Sequence, residues 1–106
     1  MSIDITKADT QQGRRVSVSG EVDVSNASAL REAITQELDG GVKNLAIDLS
    51  QVPYIDSTGI GVLVGAAHRA AEGGCAFSVE RPQRNVARVL SLLGVGADLN
   101  VIDPQQ

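Results

Sequence analysis

The sequence predicts an α/β protein: a mixed, mostly parallel β-sheet with packed helices, in the order β-β-α-β-α-β-α-β. Short apolar or alternating segments of strand length recur along the chain, and amphipathic segments of helix length separate most of them. Strand–helix–strand connections of this length favour parallel pairing with right-handed crossovers. We therefore expect helices packed on a sheet whose later strands run parallel.

The chain begins with two strands that we expect to form a hairpin. Residues 3–5 alternate apolar and polar side chains, and residues 16–19 alternate again after a polar turn at residues 11–14. Alternation of this kind is typical of strands with one buried face. Because so short a connection joins antiparallel strands, we expect the two segments to pair in that way.

Two helices and a central strand follow. The first helix is capped by Ser25 or Asn26 and ends at residues 40–41, and the second begins near Ser57 and ends at another glycine pair. The apolar stripes, at intervals of three and four, are Ala27, Leu30, Ile34 and Leu38 in the first helix and Ile60, Leu63, Val64, Ala67 and Ala71 in the second. Between the helices, residues 45–49 predict a central strand covered on both faces, although periodicity alone leaves a buried helical turn open.

The rest of the chain predicts two more strands and a third helix. Residues 76–79 indicate one strand, and residues 99–102 include a last short one. The helix between them carries apolar residues with i, i+3, i+4, i+7 spacing, namely Val86, Val89, Leu90 and Leu93. The length of 106 residues predicts a single domain over residues 1–103, with residues 104–106 as a loose C-terminal end.

Composition and charge argue against several classes of function. The formal net charge is −4 and the basic residues are scattered, which argues against direct binding of nucleic acid. We interpret the partial cluster of Arg81, Arg84 and Arg88 as a solvated helix side. Cys75 is the only cysteine and is expected to be a small buried hydrophobe. Without a secretion signal or a run of membrane-spanning length, we expect a cytoplasmic protein with no membrane insertion.

Residues 54–61, YIDSTGIG, carry the strongest functional signal, because they place two hydroxyl groups where a strand-like segment becomes a helix. Backbone N–H groups at a helix start lack intrahelical partners and carry partial positive charge, so Ser57 can hold a phosphate there without unfolding the helix. The carboxyl ends of parallel strands share one sheet edge, which brings residues 20–26 and 51–57 together. We therefore expect Asp23 and Ser57 on one surface.

One flank of the second helix is expected to face a partner. Four residues share this flank at about 100° per residue: Ser57, Gly61, Gly65 and His68. Val62 falls roughly 150° from the middle of the buried stripe, where another protein could cover it. Each feature also has an ordinary explanation. Ser57 or Asp56 can be a plain N-cap, helical glycines permit close internal packing, and single exposed valines are common.

An enzyme, a metal site and a nucleotide site find less support. His68 is the only histidine and the obvious base for Ser57, but eleven helical residues separate them, about 16 Å at about 1.5 Å per residue. One histidine and one cysteine offer no compact ligand group, and residues 59–61 lack the further glycine and the lysine of a phosphate-binding loop. We therefore expect no enzymatic activity, no metal and no cofactor, while nucleotide binding is unsupported but left open.

Residues 56–61, DSTGIG, and residues 20–23, GEVD, resemble the phosphorylation motif and the motif after the second strand in the anti-anti-sigma factors, or anti-sigma factor antagonists, of the STAS domain family. The similarity covers nearly the whole chain, although residues 95–99 lack an aromatic residue often found there. The resemblance implies a STAS-like fold and a protein that binds an anti-sigma factor/serine kinase, releasing its sigma factor. Phosphorylation by that kinase inactivates the antagonist, and a serine phosphatase restores it.

The resemblance also implies roles for individual residues. Ser57 corresponds to the phosphoacceptor, Thr58 to an adjacent hydroxyl that some members also use, and Asp23 to an acidic residue at the partner surface. The partner-binding set expected from the sequence is Asp23, Ser25, Asn26, Asp56, Ser57, Thr58, Gly59, Gly61 and Val62. We expect a monomer when the protein is free. STAS-like domains also serve as adaptor subunits of larger signalling or transport assemblies without a phosphoswitch, and that alternative stays open.

Overall fold

The structure, a computed structural model, describes residues 2–102. Its elements are β1 (Asp4–Asp9), β2 (Arg14–Ser19), α1 (Ala27–Asp39), β3 (Asn44–Gln51), α2 (Ser57–Glu72), β4 (Ala76–Glu80), α3 (Arg84–Leu92), α4 (Gly96–Leu99) and β5 (Val101–Ile102). The strands form one sheet in the order β1-β2-β3-β4-β5, antiparallel between β1 and β2 and parallel elsewhere. The predicted fold class and element order are confirmed, with α4 as an addition. Residues 104–106, predicted to be a loose end, lie outside the described part of the chain.

The predicted hairpin is confirmed and sets the direction of the sheet. Ile5 lies opposite Val18, and the N–H of Thr10 donates to the carbonyl of Gly13 at 2.8 Å to close the turn. Because β2 pairs parallel with β3, the loops that leave these two strands emerge at the same edge of the sheet. None of the described helices is long and apolar enough to cross a membrane.

The hydrophobic core lies between one face of the sheet and helices α1 and α2. Val16, Ile47 and Val79 stand side by side on neighbouring strands and are fully buried. Leu30 of α1 and Leu63 of α2 are equally buried in the same cluster. Since α2 packs against α1 as well as against the sheet, two sides of this helix are covered.

The other face of the sheet buries a charge. All of residues 45–49 are buried, as predicted for a central strand, but Asp48 is one of them and is only 5% exposed. Its carboxylate forms an ion pair with Arg81 and accepts a hydrogen bond from the N–H of Ser50 at 2.8 Å. The grouping of Arg81 with the arginines of α3 is therefore wrong, because Arg81 precedes that helix and pairs with a carboxylate of the sheet.

Asp48 is expected to make the fold sensitive to acid. Burial works to raise the pKa of this carboxyl, but the hydrogen bonds from Ser50 and the ion pair with Arg81 outweigh it and lower the pKa from its ordinary 3.8. A lowered pKa contributes stability above the pKa of the unfolded state, and this contribution is lost as the pH falls through the folded-state pKa. We therefore expect the free energy of unfolding, measured by urea titration, to fall below about pH 4.

The matched variant for this prediction is Asp48→Asn, which keeps the size of the side chain and removes its titration. Its stability should depend less on pH between about 5 and 2 than that of the wild type, although it is lower at neutral pH. Asp23 and Glu37 also have lowered pKa values and leave a residual slope in both proteins. Identical slopes for the two proteins would show that Asp48 does not carry the effect.

The apolar stripe predicted for the third helix is only partly buried. Val86 and Leu90 are buried, but Val89 is 38% exposed, and Leu93, which follows the last residue of α3, is 56% exposed.

Two further details in the C-terminal half differ from the prediction. Leu99 was expected in the last strand, but it ends α4, is fully buried, and donates its N–H to the carbonyl of Val95 at 3.0 Å. Ala71 is exposed and Ala70 is buried instead, and the N–H of Cys75 donates to the carbonyl of Ala70 at 2.8 Å after the chain leaves α2. Cys75 itself is buried, as predicted, and burial raises the pKa of its thiol.

Candidate functional site

The two loops that leave β2 and β3 are joined by backbone hydrogen bonds. The N–H of Val22 donates to the carbonyl of Tyr54 at 2.9 Å, and the N–H of Asp56 donates to the carbonyl of Val22 at 3.0 Å. These bonds form an isolated parallel bridge between Val22 and Ile55. The predicted meeting of residues 20–26 and 51–57 is therefore confirmed, and the bridge fixes their register.

The bridge brings the backbone of Asp23 close to the start of α2. Val22 and Ile55 are buried in the core, and the residues that follow them in the two loops are Asp23 and Asp56. Because the carbonyl of Val22 accepts from the N–H of Asp56, and Asp56 directly precedes α2, the loop that carries Asp23 passes close to this helix start.

The capping residue of α2 is Asp56. Its Oδ1 accepts a hydrogen bond from the N–H of Gly59 at 3.1 Å, which satisfies one of the unpaired donors at the helix start. Ser57 is the first helical residue and is exposed, as is Thr58. Because Asp56 supplies the cap, the start of the helix does not depend on the hydroxyl of Ser57.

Asp23 is held ionised by the turn that follows it. The Oγ of Ser25 donates to Oδ1 of Asp23 at 2.5 Å, and the N–H of Ser25 donates to the same oxygen at 2.9 Å. These two bonds lower the pKa of Asp23, the side-chain bond having the larger effect. At neutral pH this carboxylate is therefore a fixed negative charge beside the helix start.

Asn26 was expected to contact a partner, and its burial contradicts this. It is only 6% exposed, its Oδ1 accepts from the N–H of Asp23 at 3.0 Å, and its Nδ2 donates to the carbonyl of Glu21 at 2.9 Å. It is the N-cap residue of α1, as one of the two predicted candidates, but its side chain makes no capping bond. The side-chain amide of Asn26 therefore stabilises the loop that contains Asp23.

Gly59 and Val62 are also buried, so their predicted place at the partner surface is wrong. A Cβ at Gly59 would lie 2.7 Å from Cγ1 of Val22 and 2.8 Å from Cγ1 of Ile55, which explains the glycine by internal packing. Val62 is 6% exposed because it lies on the side of α2 that meets α1. The prediction assumed one covered side, whereas this helix has two.

The exposed flank of α2 is confirmed. Ser57, Gly61, Gly65 and His68 are all exposed. A Cβ at Gly61 or Gly65 would meet no atom within 4 Å, and both glycines line a groove of about 400 Å³ between α1 and α2. Because Ser57 and His68 lie in one continuous helix, eleven residues apart, they do not form a nucleophile–base pair.

Two exposed apolar side chains on the bridged loops were not among the predicted site residues. Val24 is 76% exposed and Tyr54 is 50% exposed. Alternation from Val22 would bury Val24, but the chain turns after Asp23, whose carbonyl accepts from the N–H of Ala27 at 2.9 Å. The signal available in the sequence was an apolar residue directly after GEVD and an aromatic residue two positions before DSTGIG.

Comparison with known proteins places these features in context. The family model described as "Mlab, STAS domain" matches residues 5–102. An anti-sigma-B factor antagonist of Bacillus subtilis is 30% identical over 95 residues, which cover 90% of this chain and 86% of that protein.

Solved structures show the same similarity. The crystal structure of an anti-sigma factor antagonist from Mycobacterium paratuberculosis superposes with a TM-score of 0.87 at 28% identity, covering 96% of this chain and 86% of the other. The Bacillus cell fate determinant SpoIIAA in its phosphorylated form has a TM-score of 0.73 at 18% identity, covering 94% and 90%. At that identity the second likeness concerns the fold alone.

Proposed function

Because the chain belongs to the STAS domain family and is related to its anti-sigma factor antagonists, we propose that it is a partner-switching regulator controlled by phosphorylation of Ser57. Unphosphorylated, it binds an anti-sigma factor that is also a serine kinase, and the sigma factor is released. Phosphorylation ends this binding, and a serine phosphatase restores it. The free protein is a monomer that acts in the cytoplasm, and it has no catalytic activity of its own.

The observation that carries this proposal is the exposed first residue of α2. Ser57 stands at the helix start, Asp56 caps the helix, and the bridge joins the loop that carries Asp23 to this helix start. A kinase can reach such a hydroxyl without unfolding the domain, and the free N–H groups of the first turn favour a bound phosphate. Thr58, the next exposed hydroxyl, is the second candidate phosphoacceptor.

The proposed switch is a local change of charge. The γ-phosphoryl group of ATP on the kinase passes to Oγ of Ser57, ADP leaves, and the hydroxyl proton goes to a base of the kinase. The new phosphate adds about −1.5 to −2 charges beside the carboxylates of Asp23 and Asp56. A partner surface that packed against a neutral hydroxyl must then bury this charge, which is costly unless it offers a basic receiver.

The proposal is tested by intact-mass spectrometry after incubation with ATP and a candidate anti-sigma factor kinase. One added phosphate that maps to Ser57 and is absent from Ser57→Ala is the expected result. A phosphate that moves to Thr58 in Ser57→Ala would identify the second hydroxyl as a substitute. Stable association of the unmodified chain with a transporter ATPase, with no phosphate gained, would support the adaptor alternative instead.

A further inference from the structure

The two loops that are bridged next to the start of α2 each expose one apolar side chain. Val24 is 76% exposed in the loop after β2, and Tyr54 is 50% exposed in the loop after β3. We propose that Val24 and Tyr54 are apolar anchors that enter a cleft of the anti-sigma factor and exclude water from around Ser57. This inference rests on the proposed function and names the contacts through which the partner is held.

Both anchors are attached to backbone that is already fixed. The carbonyl of Tyr54 accepts from the N–H of Val22, and the carbonyl of Asp23 accepts from the N–H groups of Asn26 at 3.1 Å and Ala27 at 2.9 Å. A partner therefore need not order either loop on binding. Preorganised apolar and aromatic side chains of this kind carry much of the affinity in protein interfaces.

The charge around the anchors restricts what covers them. Residues 20–26 and 51–58 contain three carboxylates, Glu21, Asp23 and Asp56, and no lysine or arginine. Such a surface repels nucleic acid and anionic membranes. Since Asp23 and Asp56 already accept hydrogen bonds within the chain, the partner need not supply a cation for each. The occupant that fits is a protein cleft with an apolar centre and no acidic rim.

The anchors also explain how a phosphate would act. A charge interacts strongly with its surroundings where water is excluded and weakly where water remains. If Val24 and Tyr54 make the interface dry, the phosphate on Ser57 is costly because it loses its hydration there. The effect of phosphorylation should therefore depend on the anchors, which is a coupling that a purely structural residue would not produce.

The test measures Kd for an anti-sigma factor that binds the wild-type chain, by calorimetry with ADP in place of ATP. Val24→Ser and Tyr54→Ser are each compared with wild type, unmodified and phosphorylated at Ser57. We expect each substitution to raise the unmodified Kd about tenfold and to reduce the factor by which phosphorylation weakens binding. Val24→Ile keeps an apolar side chain at this position and should therefore keep the wild-type Kd and the wild-type effect of phosphorylation.

The matched control is Leu92→Ser, because Leu92 is 79% exposed and is the last residue of α3. The first turn of that helix contacts a loop of the site, since the side chain of Asn85 donates to the carbonyl of Pro53. It should change neither Kd. Wild-type affinity in Val24→Ser and Tyr54→Ser, with phosphorylation still effective, would overturn the anchors and leave the proposed function standing. If phosphorylation does not weaken wild-type binding, the switch itself fails, and the unmodified Kd values still decide the anchors.

Discussion

Replacing Ser57 by aspartate is expected to weaken binding to the anti-sigma factor ten- to a hundredfold, whereas Ser57→Ala keeps the affinity of the wild type. Aspartate places a permanent negative charge on a surface that already carries Asp23 and Asp56. A penalty of about 1.4 to 2.8 kcal/mol for burying that charge corresponds to this range. Alanine removes a hydroxyl that does not cap α2, so neither the helix nor the interface loses a required group.

The decisive comparison is with Ser57→Asn, which resembles aspartate in size but carries no charge. Kd for the anti-sigma factor is measured for all three variants, with ADP present in place of ATP. The comparison separates steric from electrostatic effects. Equal Kd values for the aspartate and asparagine variants would contradict a charge-based switch. Unfolding of the aspartate variant is not expected, because a negative charge in the first turn of a helix is stabilising.

Gly59→Ala is expected to destabilise the domain by about 1 to 3 kcal/mol. The added Cβ would lie 2.7 Å from Val22 and 2.8 Å from Ile55, the two residues whose bridge joins the loops of the site. Either those side chains or the first turn of α2 must therefore shift. The free energy of unfolding, measured by urea titration, gives the size of the effect.

Gly65→Ala is the control for this prediction, because it makes the same change in the same helix at an exposed position. A Cβ there meets no atom within 4 Å, so alanine should stabilise α2 by up to about 1 kcal/mol through its higher helix propensity. The two variants should thus move in opposite directions. If Gly59→Ala is as stable as Gly65→Ala, the close approach of α2 to Val22 does not constrain the fold.

The strands and helices of this chain were predictable, except for α4, because each of the others has a local signal. Alternation marked the hairpin, three-and-four spacing marked α1 and α2, and a continuous apolar run marked β3. The convergence of the two loops also followed from sequence, since parallel neighbours must release their loops at one edge. Ser57 could be placed at the start of α2 because a capping residue and a glycine-containing apolar pattern meet there.

The roles of several side chains were not predictable, because they depend on contacts between distant elements. The prediction placed Val62 on the outer side of α2 because it assumed that only one side of this helix is buried. In the structure Val62 is buried, because α2 is covered by both the sheet and α1. Asn26 looks like a surface amide until its bonds to Asp23 and Glu21 are known. Asp48 shows no pairing signal, since its partner Arg81 lies 33 positions away.

The hydrogen bonds of the bridge between Val22 and Ile55 are made by peptide groups, so they do not depend on the exposed side chains of neighbouring residues. The exposed side chains at positions 21, 24 and 54 can therefore be exchanged without moving Ser57 from the start of α2. Under the proposed function, such exchanges alter which partner binds and leave the phosphorylation site in place.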